Sequence, residues 1–333
     1  MNFPSTQGSA KFSSVDYRGI DLTKFIMAFA VVAIHAPEYL WPEARNHTLI
    51  IEWFIRLAVP FFFICSGFLI QKKLISMDNY NCRRKYLMRR SFKFLKIWGI
   101  WLLIYLPLSL WGYMGTDKNM TDFLRSFLSD IFLTGHSLYS QQLWFIYSMS
   151  IVIFIWSFAT KTKRSLFILF LLFCLISIVR YYFKSTLLTN ISIWILGGGS
   201  PLMTGALIQI YSKNLSNHKR WVIIAFALSI SLINYYQQLY YSELFGAIAL
   251  FYLSIAFYPN WKMNFIALRK DSMWVYYIHM YIIMTFSIIL NKFSMDIPVS
   301  LLFIVLCLVC CMTAMIMRKV SNLSRFHFLN ELI

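Results

Sequence analysis

Apolar runs of about 17–22 residues, long enough for an α-helix to cross a bilayer, recur ten times along this 333-residue chain. They lie near residues 21–41, 49–70, 94–113, 142–160, 165–182, 194–211, 221–238, 241–258, 273–291 and 299–317. No soluble core of this length buries so much apolar surface, because the 62 Phe, Tyr and Trp residues outnumber all 44 charged ones. The sequence therefore predicts an all-α polytopic membrane protein with about ten transmembrane helices and the lipid bilayer as its solvent.

A net charge of +18 would suit a nucleic-acid binder, but its placement argues against that partner. Nine of the 31 Lys and Arg fall between Lys72 and Lys96, in the connection after the second run. Cytoplasmic flanks collect such cations. With both termini cytoplasmic, the inner segments hold 24 cations and the outer ones six, while eight of the 13 acids lie outside. This divides the chain into cytoplasmic tails at 1–20 and 319–333 and a transmembrane domain at 21–318. The polar first twenty residues, and PEYLWPEAR after the first run, predict no cleaved signal peptide. Five of the six cysteines sit within apolar runs and read as small buried hydrophobes. Cys307 and Cys310 have metal-ligand spacing but no partner pair, so no metal is expected.

Two segments break the pattern. The stretch TDFLRSFLSDIFLTG carries apolar residues at helical spacing and predicts an amphipathic helix near 119–135, lying on the outer surface. GGGSP, Gly197 to Pro201, interrupts the sixth run near its start. Irregular backbone at membrane depth is tolerated against protein or a wet cavity; a helix that starts after Pro201 is the plainer alternative.

Ionisable side chains inside apolar runs are costly and mark candidate sites. On the first helix Lys24 and His35 are 11 residues apart, ~16 Å along the axis and within ~20° of the same face. Asp21 and Glu38 fall within ~60° of that stripe, so one face carries a polar track. His35 suits general-base work because an imidazole titrates near neutral pH; a structural hydrogen bond is the plainer role. Lys93 and Lys96 lie one turn apart at the start of the third run. They can meet ligand phosphates as point charges, or simply anchor the inner face. Arg56, inside the second run, needs a partner, with Glu38 or Glu52 to hand. His279 lies eight residues after Asp271 and has a structural or a catalytic role. Trp144 opens the fourth run as an interfacial belt residue or as part of a sugar-binding surface.

The succession DLTKFIMAFAVVAIH, RLAVPFFFICSGFLI, a basic start to the third helix, QLWFI and YYIH resembles the membrane-bound acyltransferase-3 family over essentially the whole chain. That resemblance implies transfer of an acyl group, usually acetyl, from cytoplasmic acetyl-CoA to hydroxyls of extracytoplasmic glycans across a bacterial cytoplasmic membrane. His35 matches the family's essential first-helix histidine, and Lys24 stands where the family usually has arginine. Lys93 and Lys96 match its Arg-x-x-Arg pair, written here with lysines. HAPEYLWPE, the lysine pair and LPLSLW also resemble the membrane half of the serine racemases of glycopeptide-resistance clusters. That resemblance implies a rival role in uptake of serine. The expected catalytic residues are then His35 and Glu38, with Lys24, Lys93 and Lys96 for acyl-CoA. Arg56, Trp144 and His279 are expected to serve the acceptor, a glycan or a serine-like molecule. A second copy or a racemase is the expected protein partner.

Overall fold

The computed structural model describes residues 17–41, 49–114, 119–182, 194–212, 215–236, 242–257, 259, 261–294 and 297–331. Every regular element among them is helical. The chain opens with α1 (Arg18–Leu40), α2 (Leu49–Arg56), α3 (Ala58–Ile75) and α4 (Tyr80–Met114). Then come α5 (Met120–Thr134), a 3-10 turn at Gln141–Leu143, α6 (Trp144–Trp156) and α7 (Lys163–Tyr182). After these follow α8 (Gly199–Tyr211), α9 (Asn217–Tyr236), α10 (Ser242–Ala256), α11 (Phe265–Phe293) and α12 (Val299–Ser321). A 3-10 segment, Ser324–Glu331, closes the described chain.

Each apolar run lies largely on one of these helices, the second being shared by α2 and α3. Pro60 explains that break: it has no N–H to donate and its ring crowds the Arg56 carbonyl four residues earlier. Among the described residues, five stretches are long and apolar enough to cross a bilayer: Arg18–Leu40, Ile50–Ile75, Tyr80–Tyr113, Phe265–Phe293 and Val299–Ser321. α6 and α8, of 13 residues each, and α10, of 15, are shorter than their runs. Turns take over their starts: QQL before α6, and Leu196, Gly197 and Gly198 before α8.

α1 continues through Pro37 to Leu40, so the Ala33 carbonyl loses its intrahelical donor. Two local expectations change. α4 begins at Tyr80 and is 35 residues long, so Lys93 and Lys96 sit well inside a helix whose first turns are basic. α8 starts at Gly199 with Pro201 in its first turn, where a missing N–H costs nothing. The Gly198 N–H before it donates to Ser148 Oγ at 3.2 Å. The helix expected near 119–135 is α5, started by the Asn119 side chain accepting from the Asp122 N–H and ended at Gly135, φ 75°.

α1 is central, packed against α11, α10, α3 and α12. α3 lies along α8 at very close range, because each presents a glycine to the other's backbone. A Cβ on Gly67 would fall 1.9 Å from the Leu202 carbonyl oxygen, and one on Gly205 2.0 Å from that of Ile64. Small residues that let backbones approach are the packing currency of helices in lipid. α4 and α6 are cross-linked by Ser91 and Ser150, whose hydroxyls each donate to the other's carbonyl at 2.9 Å. α4 meets α11 through aromatics: Trp101 stacks on Tyr277 at 4.6 Å, and the Tyr105 hydroxyl donates to the Tyr277 carbonyl at 2.6 Å.

Candidate active site

Two carboxylate–guanidinium pairs set the register of α11 against its neighbours. Asp21 on α1 accepts from Arg269 Nε at 2.9 Å and Nη2 at 2.6 Å. Two residues further, Asp271 accepts from Arg318 Nε on α12 at 2.6 Å. Asp21 therefore leaves the polar stripe of α1 to act as a helix-to-helix anchor.

With that register, His35 on α1 faces His279 on α11, their ring centroids 5.5 Å apart and tilted by 30°. His279 is fully buried, and its Nδ1 donates to the Val275 carbonyl at 3.1 Å. A neutral imidazole protonated at Nδ1 carries its lone pair on Nε2, and that Nε2 is buried without a protein partner. The Gln141 side chain lies near His35. Its Nε2 donates to Glu38 Oε1 at 3.4 Å, so one amide stands beside both the exposed carboxylate and the imidazole. Next to it Gln142 is 1% exposed, and neither atom of its amide has a protein partner. The Tyr276 hydroxyl donates to the Gln142 carbonyl, and its ring lies 6.3 Å from His279.

The loop between α5 and α6 supplies a third histidine. Ser109, Ser137 and Ser140 pin that loop to α4, with hydroxyls 2.7 Å and 2.9 Å apart in succession. Trp98 Nε1 holds its start by donating to the Gly135 carbonyl at 2.7 Å. That histidine is His136, in the neighbourhood of His35. Burial lowers its pKa, opposed by its hydrogen bond to the Ser137 carbonyl and by Asp130. Its ring meets Trp194 edge-on at 5.0 Å, Trp194 meets Trp144 at 5.5 Å, and Trp144 meets Phe63 at 6.0 Å. Trp144 is thus part of an aromatic wall beside His136.

The structure gathers His35, Glu38 and His279, with Trp144 close by through His136. It does not bring the cations to them. Arg56 binds Glu52 on its own helix, Nη2 to Oε1 at 2.6 Å, and is half exposed. Lys24 is half-buried beside Cys65 of α3. Lys93 is exposed, and Lys96 makes a loose exposed contact with Glu331 at 3.5 Å. Gln141, Gln142, Tyr276 and His136 are the residues that sequence reasoning missed as site members. The Gln-Gln pair ahead of Trp144 was the one visible signal, since two amides at the edge of an apolar run need a reason to be there. Among the described residues, no group of three or more His, Cys, Asp or Glu is placed to hold a metal ion.

A buried imidazole with a free lone pair, facing a second imidazole, is suited to moving a proton at a hydroxyl. Residues 17–316 match the model of the acyltransferase-3 family, described as an acyltransferase domain. The chain belongs to the acyltransferase-3 family. With its apolar helices, this makes it a multi-pass membrane protein. Shorter stretches resemble an amino-acid racemase of Enterococcus faecalis, 31% identical over 116 residues, which is 34% of this chain and 15% of that relative. A serine/alanine racemase of Enterococcus gallinarum is 39% identical over 101 residues, 28% of this chain and 14% of the relative. The matches thus cover less than a sixth of the length of these relatives. No solved structure matches this acyltransferase-3 chain.

Proposed function

We propose that this protein is a membrane O-acyltransferase, taking an acyl group, acetyl in the leading case, from cytoplasmic acyl-CoA to an extracytoplasmic hydroxyl such as that of a cell-surface glycan. The observation that carries the reading is the facing pair His35 and His279 in a chain of the acyltransferase-3 family, with Gln141 beside them holding Glu38. The charge asymmetry supports ten spans, both termini inside and residence in a bacterial cytoplasmic membrane. In this reading Lys24, Lys93 and Lys96 draw the phosphates of acyl-CoA to the inner face. The acceptor arrives from outside past Trp144, and Arg56 serves the outer rim.

The chemistry balances without a further reactant. His35 takes the proton of the acceptor hydroxyl as its oxygen attacks the thioester carbonyl. The carbon–sulfur bond breaks, the acyl group stays on the acceptor oxygen, and the CoA thiolate leaves to be protonated. Glu38 acts through Gln141 by holding the imidazole orientation.

A second reading, transport of a small amino acid such as L-serine in association with a serine racemase, is favoured by the racemase-named relatives. Proteoliposomes given labelled acetyl-CoA outside and labelled L-serine in a parallel run separate the two. The enzyme reading expects His35-dependent consumption of the thioester. Serine flux that depends on His35, with no CoA binding and no thioester turnover, would sink it.

A further inference from the structure

A cavity of about 370 Å³ opens at the end of the bundle away from the histidines. Trp156 forms part of it at the far end of α6, 12 residues and ~18 Å of helix from Trp144. Its walls come from the ends of α3, α6 and α8 and the starts of α4 and α7. Arg83, Lys161 and Lys163 stand around it with the threonines Thr160 and Thr162, and among the described residues no Asp or Glu lines it. The Arg83 Nε donates to the Met77 carbonyl at 2.8 Å, which fixes the guanidinium at the wall. Thr162 caps α7, its Oγ1 accepting from the Ser165 N–H at 3.0 Å, so the positive end of a 20-residue helix forms one side.

Three cations, two hydroxyls and a helix N-terminus make a combination that suits phosphate oxygens. The rest of the lining is different in kind: Trp156 is almost fully buried, and Leu74 and Leu166 are buried beside it. Just along α7, Phe167, Ile168, Leu171 and Leu172 are exposed, as a lipid-facing surface is. The cavity therefore lies where apolar surface gives way to a basic face. A free inorganic anion would use the rim and leave the apolar floor idle.

We propose that this cavity binds the phosphate of an amphiphilic ligand, the basic rim taking the phosphate and the Trp156 floor the uncharged part next to it. The site is separate from the histidine pair; with a phospholipid it goes beyond the acyl-transfer reading, and with coenzyme A it rests on that reading. Two sources carry the required chemistry: the headgroup of an anionic phospholipid and the nucleotide end of coenzyme A.

The full chain in nanodiscs tests it. One arm compares retention of phosphatidylglycerol with that of phosphatidylcholine by native mass spectrometry. The other titrates coenzyme A into phosphatidylcholine nanodiscs. The double variant K161Q/K163Q changes two exposed side chains, and K219Q/R220Q at the start of α9 controls for bulk charge. The expected result is a loss of tenfold or more in one arm for K161Q/K163Q alone, and the arm that responds names the source. No change in either arm, or an equal loss in the control variant, overturns the proposal. H35A is expected to bind as the parent does, so a failed acyl-transfer assay leaves this result readable.

Discussion

The two ion pairs at the start of α11 are expected to differ in strength, and their exposure says which way. Asp21 and Asp271 are equally buried, with side chains 6% exposed, but Arg269 is 49% exposed and Arg318 20%. A hydrogen bond to a charged group contributes ~1.5–3 kcal/mol. When Asp21 is replaced by alanine, the half-solvated Arg269 returns to water, which brings the loss to ~1–2 kcal/mol. Removing one partner of a buried pair costs ~3–5 kcal/mol because the other charge is stranded. With Arg318 only one-fifth exposed, D271A should lie at the low end of that range, ~3 kcal/mol. Unfolding in mixed micelles as the mole fraction of denaturing detergent rises measures both variants. A double-mutant cycle with R318A should give a coupling above ~1 kcal/mol, and the cycle of Asp21 with Arg269 a smaller one. If D21A destabilises as much as D271A, exposure does not govern these pairs and the reasoning fails.

Three further outcomes follow from particular contacts. Gly205→Leu places a Cβ 2.0 Å from the Ile64 carbonyl oxygen and must part α3 from α8. It should abolish the monodisperse peak in size-exclusion chromatography, while Gly99→Ala, with open space around it, should stabilise α4 by up to ~1 kcal/mol. Because burial lowers the pKa of His136, the unfolded chain binds its proton first, near pH 6.5. Stability should therefore fall as pH drops below about 6.5, a dependence that H136Q should reduce in thermal unfolding scans, with His35 and His279 retaining the rest. Gln141→Ala removes the amide that holds Glu38 beside His35 and should lower acyl transfer tenfold or more with an unchanged melting temperature; an unchanged rate would remove Gln141 from the site.

Much of the helical layout was legible in the sequence because lipid imposes a length on each apolar run, and each run found a helix. The stripe on α1 was read from 3.6-residue periodicity, which sets Lys24 and His35 within ~20° of each other. Its division of labour was not: Asp21 turns to Arg269, 248 residues away, and nothing local to either residue indicates that pairing. The same limit hid the approach of His35 to His279, which depends on how α1 and α11 pack. Arg56 shows the opposite case: of the two partners weighed, Glu38 and Glu52, the structure provides the one four residues away. Gln142 was passed over because an amide at a helix start usually faces water, whereas here the 3-10 turn folds it inward beneath Tyr276. The length of α4 was misjudged because basic residues ended the apolar run without ending the helix; Arg and Lys are good helix formers.

The central claim is that His35 performs proton transfer on an acceptor hydroxyl, and single-turnover acyl transfer in proteoliposomes tests it most directly. Loss of a positioned general base lowers such a rate by ~100-fold to ~10,000-fold. H35A should fall at least ~100-fold at saturating acetyl-CoA, with coenzyme A binding and melting temperature retained. A well-folded H35A protein that transfers the acyl group within ~3-fold of the parent rate, far short of that loss, would contradict the account.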